Sequence, residues 1–123
     1  MQYIHINDDG DKFYYRNKKM TIRHREDGPA IEYAGGDKAW CINDKLHRED
    51  GPALEHANGD KAWFINGELH REDGPAVEYA SGDKLWYCNG NRHSEKEFNA
   101  KMNTCNGKEV VIDGKTYVLK LKD

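Results

Sequence analysis

Aliphatic residues are scarce in this chain. Ile, Leu, Val and Phe together supply 20 of its 123 residues, a deficit that marks disorder when it accompanies a large net charge. The net charge is only −3, from 19 basic and 22 acidic residues, and seven tyrosines, three tryptophans and three phenylalanines are available to fill a core. Aromatic side chains bury large areas, so a folded chain is expected. Cysteine is also sparse. Cys41, Cys88 and Cys105 are odd in number and form no CxxC pair, which gives no basis for a disulfide framework or a four-thiolate zinc site, and they read as reduced thiols. No run approaches the ~18 apolar residues of a membrane span, and the opening MQYIHINDDGDK has neither the basic nor the apolar region of an export signal. A soluble cytoplasmic protein with no membrane partner is expected. At this length it should be a single domain.

What is present in abundance is repetition. HREDGPA occurs at residues 24–30, 47–53 and 70–76, and His93 stands at the next step of the same 23-residue period. Three units therefore run 24–46, 47–69 and 70–92. A weaker copy precedes them, because GDKFYYRNKKM from Gly10 resembles GDKAWCINDKL from Gly36. We read residues 1–23 as a degenerate N-terminal cap repeat, 24–92 as three repeats and 93–123 as a C-terminal cap.

Each unit reads as β structure, because its apolar runs are short and are separated by turn pairs such as Asn58-Gly59 and Asn66-Gly67, which favour type I′ hairpins. A two-residue turn at residues 35 and 36 would place Ile31 opposite Trp40 and Glu32 opposite Ala39, and a slip of one residue would exchange the faces. A second turn at Asn43 and Asp44 would place Trp40 opposite His47, a pairing repeated as Trp63 with His70 and Trp86 with His93. In the Asp-Gly-Pro step, Asp is expected to bond nearby amides, Gly to take a positive φ and Pro to open the next strand. After His93, Ser94 and Glu97 have capping-box spacing and predict a helix over about 95–103. Asp113-Gly114 would then join residues 110–112 to 116–121 as a closing hairpin. The expected fold is mainly β: repeated antiparallel hairpin units of 23 residues forming an elongated sheet, with a short C-terminal helix and a terminal β-hairpin as cap.

The Trp-x-x-Asn-Gly-x-x-His core at residues 63–70 and 86–93 resembles the MORN repeat, a β-hairpin unit with an aromatic residue, an Asn-Gly turn and a His in the same order. The likeness is distant. One more residue separates Trp from Asn-Gly, and Arg-Glu-Asp-Gly-Pro follows His where that family has Gly, so its lipid-associated roles are not carried over. The chain more closely resembles a group of bacteriophage proteins built from WYxNGxxHRxDGPA units, over residues 10–93. That resemblance implies a small viral accessory protein working in a bacterial cytoplasm, and it brings no catalytic residue with it.

The repeated ionisable residues invite a metal or an active site. If each unit adds two strands at about 4.8 Å spacing, however, equivalent histidines (His24, His47, His70, His93) stand roughly 10 Å apart, too far to share an ion held at about 2 Å. The same spacing separates Asp27, Asp50 and Asp73 beyond the reach of a two-metal site. We expect each imidazole to pack beside its Trp and to bond the turn. No metal, cofactor or catalytic residue is assigned, and no enzyme activity is expected, because nothing distinguishes one unit as a pocket. Arg25, Arg48 and Arg71 stand beside Glu26, Glu49 and Glu72 and read as solvated, locally neutralised edges. Residues 24–92 carry 8 basic and 14 acidic side chains, the wrong sign for tracking a nucleic-acid backbone.

Positions that differ between units are the candidates for recognition, since a partner meets each repeat at a different residue. They are Cys41, Phe64 and Tyr87, then Tyr33, His56 and Tyr79, then Lys45, Glu68 and Asn91. Both alternating sets along residues 61–65 are apolar, so the face carrying Cys41, Phe64 and Tyr87 is expected to be exposed and adhesive. The expected function is a non-enzymatic interaction module, a phage accessory protein that binds and inhibits a host defence protein, with self-association into a homo-oligomer. Its binding residues would be Phe64, Tyr87, Cys41, Tyr33, His56, Tyr79, Arg48 and Arg71. The alternative is a small-molecule binder that uses Arg48, Arg71 and aromatic faces to sequester a nucleotide messenger at an oligomer interface.

Overall fold

Two kinds of turn build each repeat, and they act on different hairpins. The computed structural model describes residues 2–105, 109–112 and 115–118, and the side chains of residues 2–100. The first hairpin pairs β1 (Tyr3–Ile6) with β2 (Lys12–Tyr15). Repeat one contributes β3 (Ile31–Glu32), β4 (Lys38–Ala39), β5 (Cys41–Ile42) and β6 (Lys45–Leu46). Repeat two contributes β7 (Leu54–Glu55), β8 (Lys61–Ala62), β9 (Phe64–Ile65) and β10 (Glu68–Leu69). Repeat three contributes β11 (Val77–Glu78), β12 (Lys84–Cys88) and β13 (Asn91–His93), followed by the helix α1 (Glu95–Cys105) and by β14 (Glu109–Ile112) and β15 (Lys115–Val118). The fold is mainly β with a short C-terminal helix, as expected.

The first hairpin of each unit joins its neighbours in one nine-stranded antiparallel sheet, in the order β1, β2, β3, β4, β7, β8, β11, β12, β13. Its register corrects the expected one: Ile31 lies opposite Ala39 and Glu32 opposite Lys38. The connecting loop has three residues, not two. Tyr33 N–H bonds the Asp37 carbonyl at 2.9 Å and Gly36 N–H bonds the Tyr33 carbonyl at 2.9 Å, a type I turn closed by a bulge at Gly36. Gly36, Gly59 and Gly82 take φ of 105°, 103° and 98°, whereas Asn58 is not left-handed, so Asn58-Gly59 is not a type I′ pair. The second hairpins follow the expected geometry, with φ of 50° and 81° at Asn66 and Gly67 and with His70 N–H on the Trp63 carbonyl at 3.0 Å.

The corrected register sorts the sheet into two columns. Phe13, Ile31, Ala39, Leu54, Ala62, Val77 and Leu85 align across the strands as the apolar face. Lys12, Glu32, Lys38, Glu55, Lys61, Glu78 and Lys84 align on the other face, with the charge alternating at every step. Directly opposed unlike charges favour this pairing over a slip of one strand, which would appose like charges. Ala30, Ala53 and Ala76 are 0% exposed where each repeat meets the one before it.

At the C-terminal end Ser94 Oγ accepts from Glu97 N–H at 3.1 Å and Glu97 Oε1 accepts from Ser94 N–H at 3.2 Å, the reciprocal cap that the spacing predicts. This bonding holds the Glu97 carboxyl below its usual pKa. α1 packs on β12 and β13 through buried Phe98. β14 and β15 pair as a hairpin, while the expected Asp113-Gly114 turn and residues 119–121 lie outside the described residues. No helix among the described residues is long and apolar enough to cross a membrane.

Candidate functional site

The invariant residues are used by the protein on itself. The Arg48 guanidinium lies 3.9 Å above the Trp40 ring of the preceding unit, as Arg71 lies 3.9 Å above Trp63 and Arg25 lies 4.0 Å above Tyr14. Arg48 Nε donates to Asp50 at 3.0 Å, and its Nη1 donates to the Pro52 carbonyl at 3.1 Å and to Glu55 at 3.3 Å. The Arg25, Arg48 and Arg71 side chains are only 20–23% exposed. This corrects the expectation of solvated edges: their partners are an aromatic face, the Asp two residues on and the Glu seven residues on. Sequence reading missed the stack, although the signal was present in the constant spacing from Trp40 to Arg48 and from Trp63 to Arg71.

The stack also explains the glycine of Asp-Gly-Pro. No positive φ occurs at Gly28, Gly51 or Gly74, contrary to expectation. A Cβ at Gly51 would instead lie 2.9 Å from the Arg48 guanidinium carbon, and one at Gly28 the same distance from that of Arg25. Glycine leaves room for the arginine to fold back over its own turn.

The histidines bond turns, as expected, but each bonds the turn of the next second hairpin rather than the turn it closes with its own Trp. His24, His47 and His70 Nδ1 accept the N–H of Asn43, Asn66 and Asn89 at 2.9, 3.0 and 2.9 Å. Their Nε2 atoms face Glu26, Glu49 and Glu72 at 3.4–3.6 Å. A third junction contact comes from the loops of the first hairpins: Asp11, Asp37 and Asp60 Oδ1 accept the N–H of Ala34, Ala57 and Ala80 at 2.8, 2.7 and 2.7 Å. At Asp11 and at Asp37 the amide bond, helped by Asn7 and by His56 respectively, holds the carboxyl below its usual pKa. The N-terminal cap makes two of these contacts, Tyr14 beneath Arg25 and Asp11 on the Ala34 amide, with the Tyr14 hydroxyl also bonding Glu32 at 3.2 Å.

The variable positions fall into separate environments. Cys41 is buried at 5% exposure, while Phe64 and Tyr87 are half-buried. Their carbonyls accept the N–H groups of Arg25, Arg48 and Arg71 at 3.1–3.2 Å. The expected open adhesive face therefore does not exist at Cys41, where burial pushes the thiol pKa up. Tyr33, His56 and Tyr79 are different: they stand at the bases of successive first-hairpin loops, with Tyr33 44% and Tyr79 43% exposed and His56 exposed beside Asp37 at 3.4 Å. The Tyr33 ring rests edge-on against Phe13 at 6.2 Å.

Arg48 and Arg71 come together elsewhere. A groove of about 700 Å³ runs between the second and third repeats, lined by Arg48, Trp63, Ile65, His70 and Arg71, and also by the carboxylates Glu49, Asp50, Glu72 and Asp73. Both guanidiniums are already committed to Asp and Glu within their own turns. The lining thus carries four carboxylates against two guanidiniums, an unfavourable balance for an anion. The groove does not include Tyr33, His56 or Tyr79, so the sequence-predicted binding residues divide among a junction, a groove and an exposed row. No family model, curated protein or solved structure matches the chain.

Proposed function

We propose that the chain is a non-enzymatic interaction module that recognises a protein partner through the row Tyr33, His56 and Tyr79. One observation carries this reading. The residues that are constant between repeats are spent on the junctions, whereas this row both varies between repeats and stands exposed. Tyrosine in such a position supplies a large, rigid, amphipathic contact at little entropic cost. The loops that carry the row are tied together by the Asp37 and Asp60 amide bonds, so the surface is preorganised and little ordering is needed when a partner docks.

A phage accessory protein that binds and inhibits a host defence protein fits this description, and that part of the proposal rests on the resemblance of the repeat rather than on the geometry. The alternative, a small molecule such as a nucleotide messenger in the groove between Arg48 and Arg71, is supported by the groove's aromatic wall and opposed by its four carboxylates. The test is parallel affinity capture from bacterial lysate with the parent chain and with Tyr33→Ser/Tyr79→Ser, followed by reconstitution with the purified partner. Loss of a partner in the double variant, with its thermal midpoint kept, is the expected result. Equal capture by both chains would remove the row from consideration.

A further inference from the structure

The two ends of the nine-stranded sheet are unlike. At the C-terminal end α1 packs on β12 and β13. At the N-terminal end β1 is an outer strand. In the interior repeats the corresponding edge is always covered: Tyr14, Trp40 and Trp63 N–H groups bond the carbonyls of Ala30, Ala53 and Ala76 at 2.7–2.8 Å, and those alanines are 0% exposed. Ile4 takes the place of Ala30 in the first hairpin, since Ile4 lies opposite Tyr14 within the hairpin and Asn7 closes its loop on Asp11 as Tyr33 closes on Asp37. Yet Ile4 is 49% and Ile6 57% exposed.

Alternation settles where the free main-chain groups point. The Asn7–Asp11 bond puts the amides and carbonyls of Tyr3, His5 and Asn7 toward β2, so those of Ile4 and Ile6 point outward. β1 reads YIHI and is followed by Asn7. It has no charge, no proline and no bulge, the devices that normally protect an edge. Its sequence is also a palindrome about His5, Ile-His-Ile.

We propose that the chain forms a twofold dimer in which β1 pairs antiparallel with β1 of a second copy, centred on His5. In that register Ile4 of each copy faces Ile6 of the other as a hydrogen-bonded pair, so every outward amide and carbonyl of the two residues finds a partner. The four isoleucines meet on one face, and the two His5 side chains oppose one another on the other. The pairing extends the nine-stranded sheet across the twofold axis through the edge that the interior repeats cover, and a self-complementary strand selects a second copy over an unrelated partner. This inference does not depend on the partner-binding reading, which concerns a different part of the surface.

The interface is small, so the dimer should be weak and concentration-dependent. Sedimentation equilibrium should show a monomer–dimer equilibrium in the parent chain. Ile4→Lys/Ile6→Lys should be monomeric throughout while keeping the parent circular dichroism spectrum, and Tyr33→Ser/Tyr79→Ser should dimerise as the parent does. Register is tested separately by thiol chemistry in a Cys105→Ser background, Cys41 and Cys88 being buried. Opposed residues in a non-hydrogen-bonded pair have Cα atoms about 4.5 Å apart, within the span of about 4.4–6.8 Å that a disulfide bridges. His5→Cys should therefore oxidise to a covalent dimer and Asn7→Cys should not. A parent chain that stays monomeric, a dimer that survives the lysine pair, or equal crosslinking from both cysteine positions would overturn the proposal.

Discussion

Alanine at Gly51 tests the junction more sharply than removal of any single contact, because its effect should change sign with the state of one side chain. Gly51 does not have a positive φ, so alanine there meets no left-handed backbone strain. On entropy grounds alone Gly51→Ala should stabilise by about 0.4–1 kcal/mol. The new Cβ, however, would lie 2.9 Å from the Arg48 guanidinium carbon, and that group is pinned by Trp40 at 3.9 Å, by the Pro52 carbonyl at 3.1 Å and by Glu55 at 3.3 Å. Overpacking of this kind costs about 1–3 kcal/mol. The ceiling is the cost of displacing the arginine altogether. The ring contact is worth about 0.5–2 kcal/mol and the charged bond to a carbonyl about 1.5–3 kcal/mol. The pair with Asp50, which is 87% exposed, adds nothing measurable. Arg48→Ala should therefore lose about 3 kcal/mol, and Gly51→Ala about 1–2 kcal/mol. In the Arg48→Ala background Gly51→Ala should become stabilising by about 0.5 kcal/mol. At about 4 °C per kcal/mol for a chain of this size, the four proteins of the cycle are separable by calorimetry. A Gly51→Ala effect that is the same with and without the arginine would refute the reasoning.

Other outcomes follow from the same contacts. The carboxyls of Asp11 and Asp37 are depressed by the amides of Ala34 and Ala57, so their contribution is present above the ordinary carboxylate value of about 4 and is lost as pH falls through the depressed folded-state values. Urea melts in acid should show that decline, and Asp37→Asn should make it shallower. His70→Ala leaves the Asn89 N–H without its acceptor and should cost about 1–2 kcal/mol in denaturant melts. Deleting residues 47–69 in register should leave a shorter folded chain by circular dichroism, because Arg71 then meets Trp40, whereas deleting half a unit should not.

The repeat, the β class, the type I′ turns of the second hairpins and the helix cap were all legible, because each depends on residues close in sequence. Trp63 opposite His70 follows from Asn66-Gly67 alone. The first hairpin was misread for a local reason: Gly35-Gly36 and Asn58-Gly59 look like two-residue turns, but Tyr33 closes on Asp37 and adds a third residue, which exchanges the faces of Ile31 and Trp40. The arginines were misread for a different reason. Their neighbours in sequence are glutamates, and only the stacking of one unit on another reveals that Arg48 lies over Trp40. The exposed isoleucines of β1 escaped notice because Ile4 and Ile6 alternate with His5 and Asn7 as any buried strand does, and their exposure depends on which strand ends the sheet.

The near-identity of the junctions has a consequence for how the chain reaches its fold. Arg71 can dock on Trp40 as well as on Trp63, and the Asn89 amide can meet His47 as well as His70, because the partners are the same residues in the same places. The alternating Lys and Glu column does not oppose such an error, since displacement by a whole repeat moves the register by two strands and restores the alternation. Looping out one unit carries only the modest, logarithmic entropy of closing a longer loop. During refolding from denaturant, part of the population should therefore zip up with the middle repeat excluded and must undo a well-made junction before it can proceed. That population should appear as a slow phase whose amplitude falls when Trp40 and Trp63 are made different from one another, so the uniformity that makes the stack stable also makes it slow to find its order.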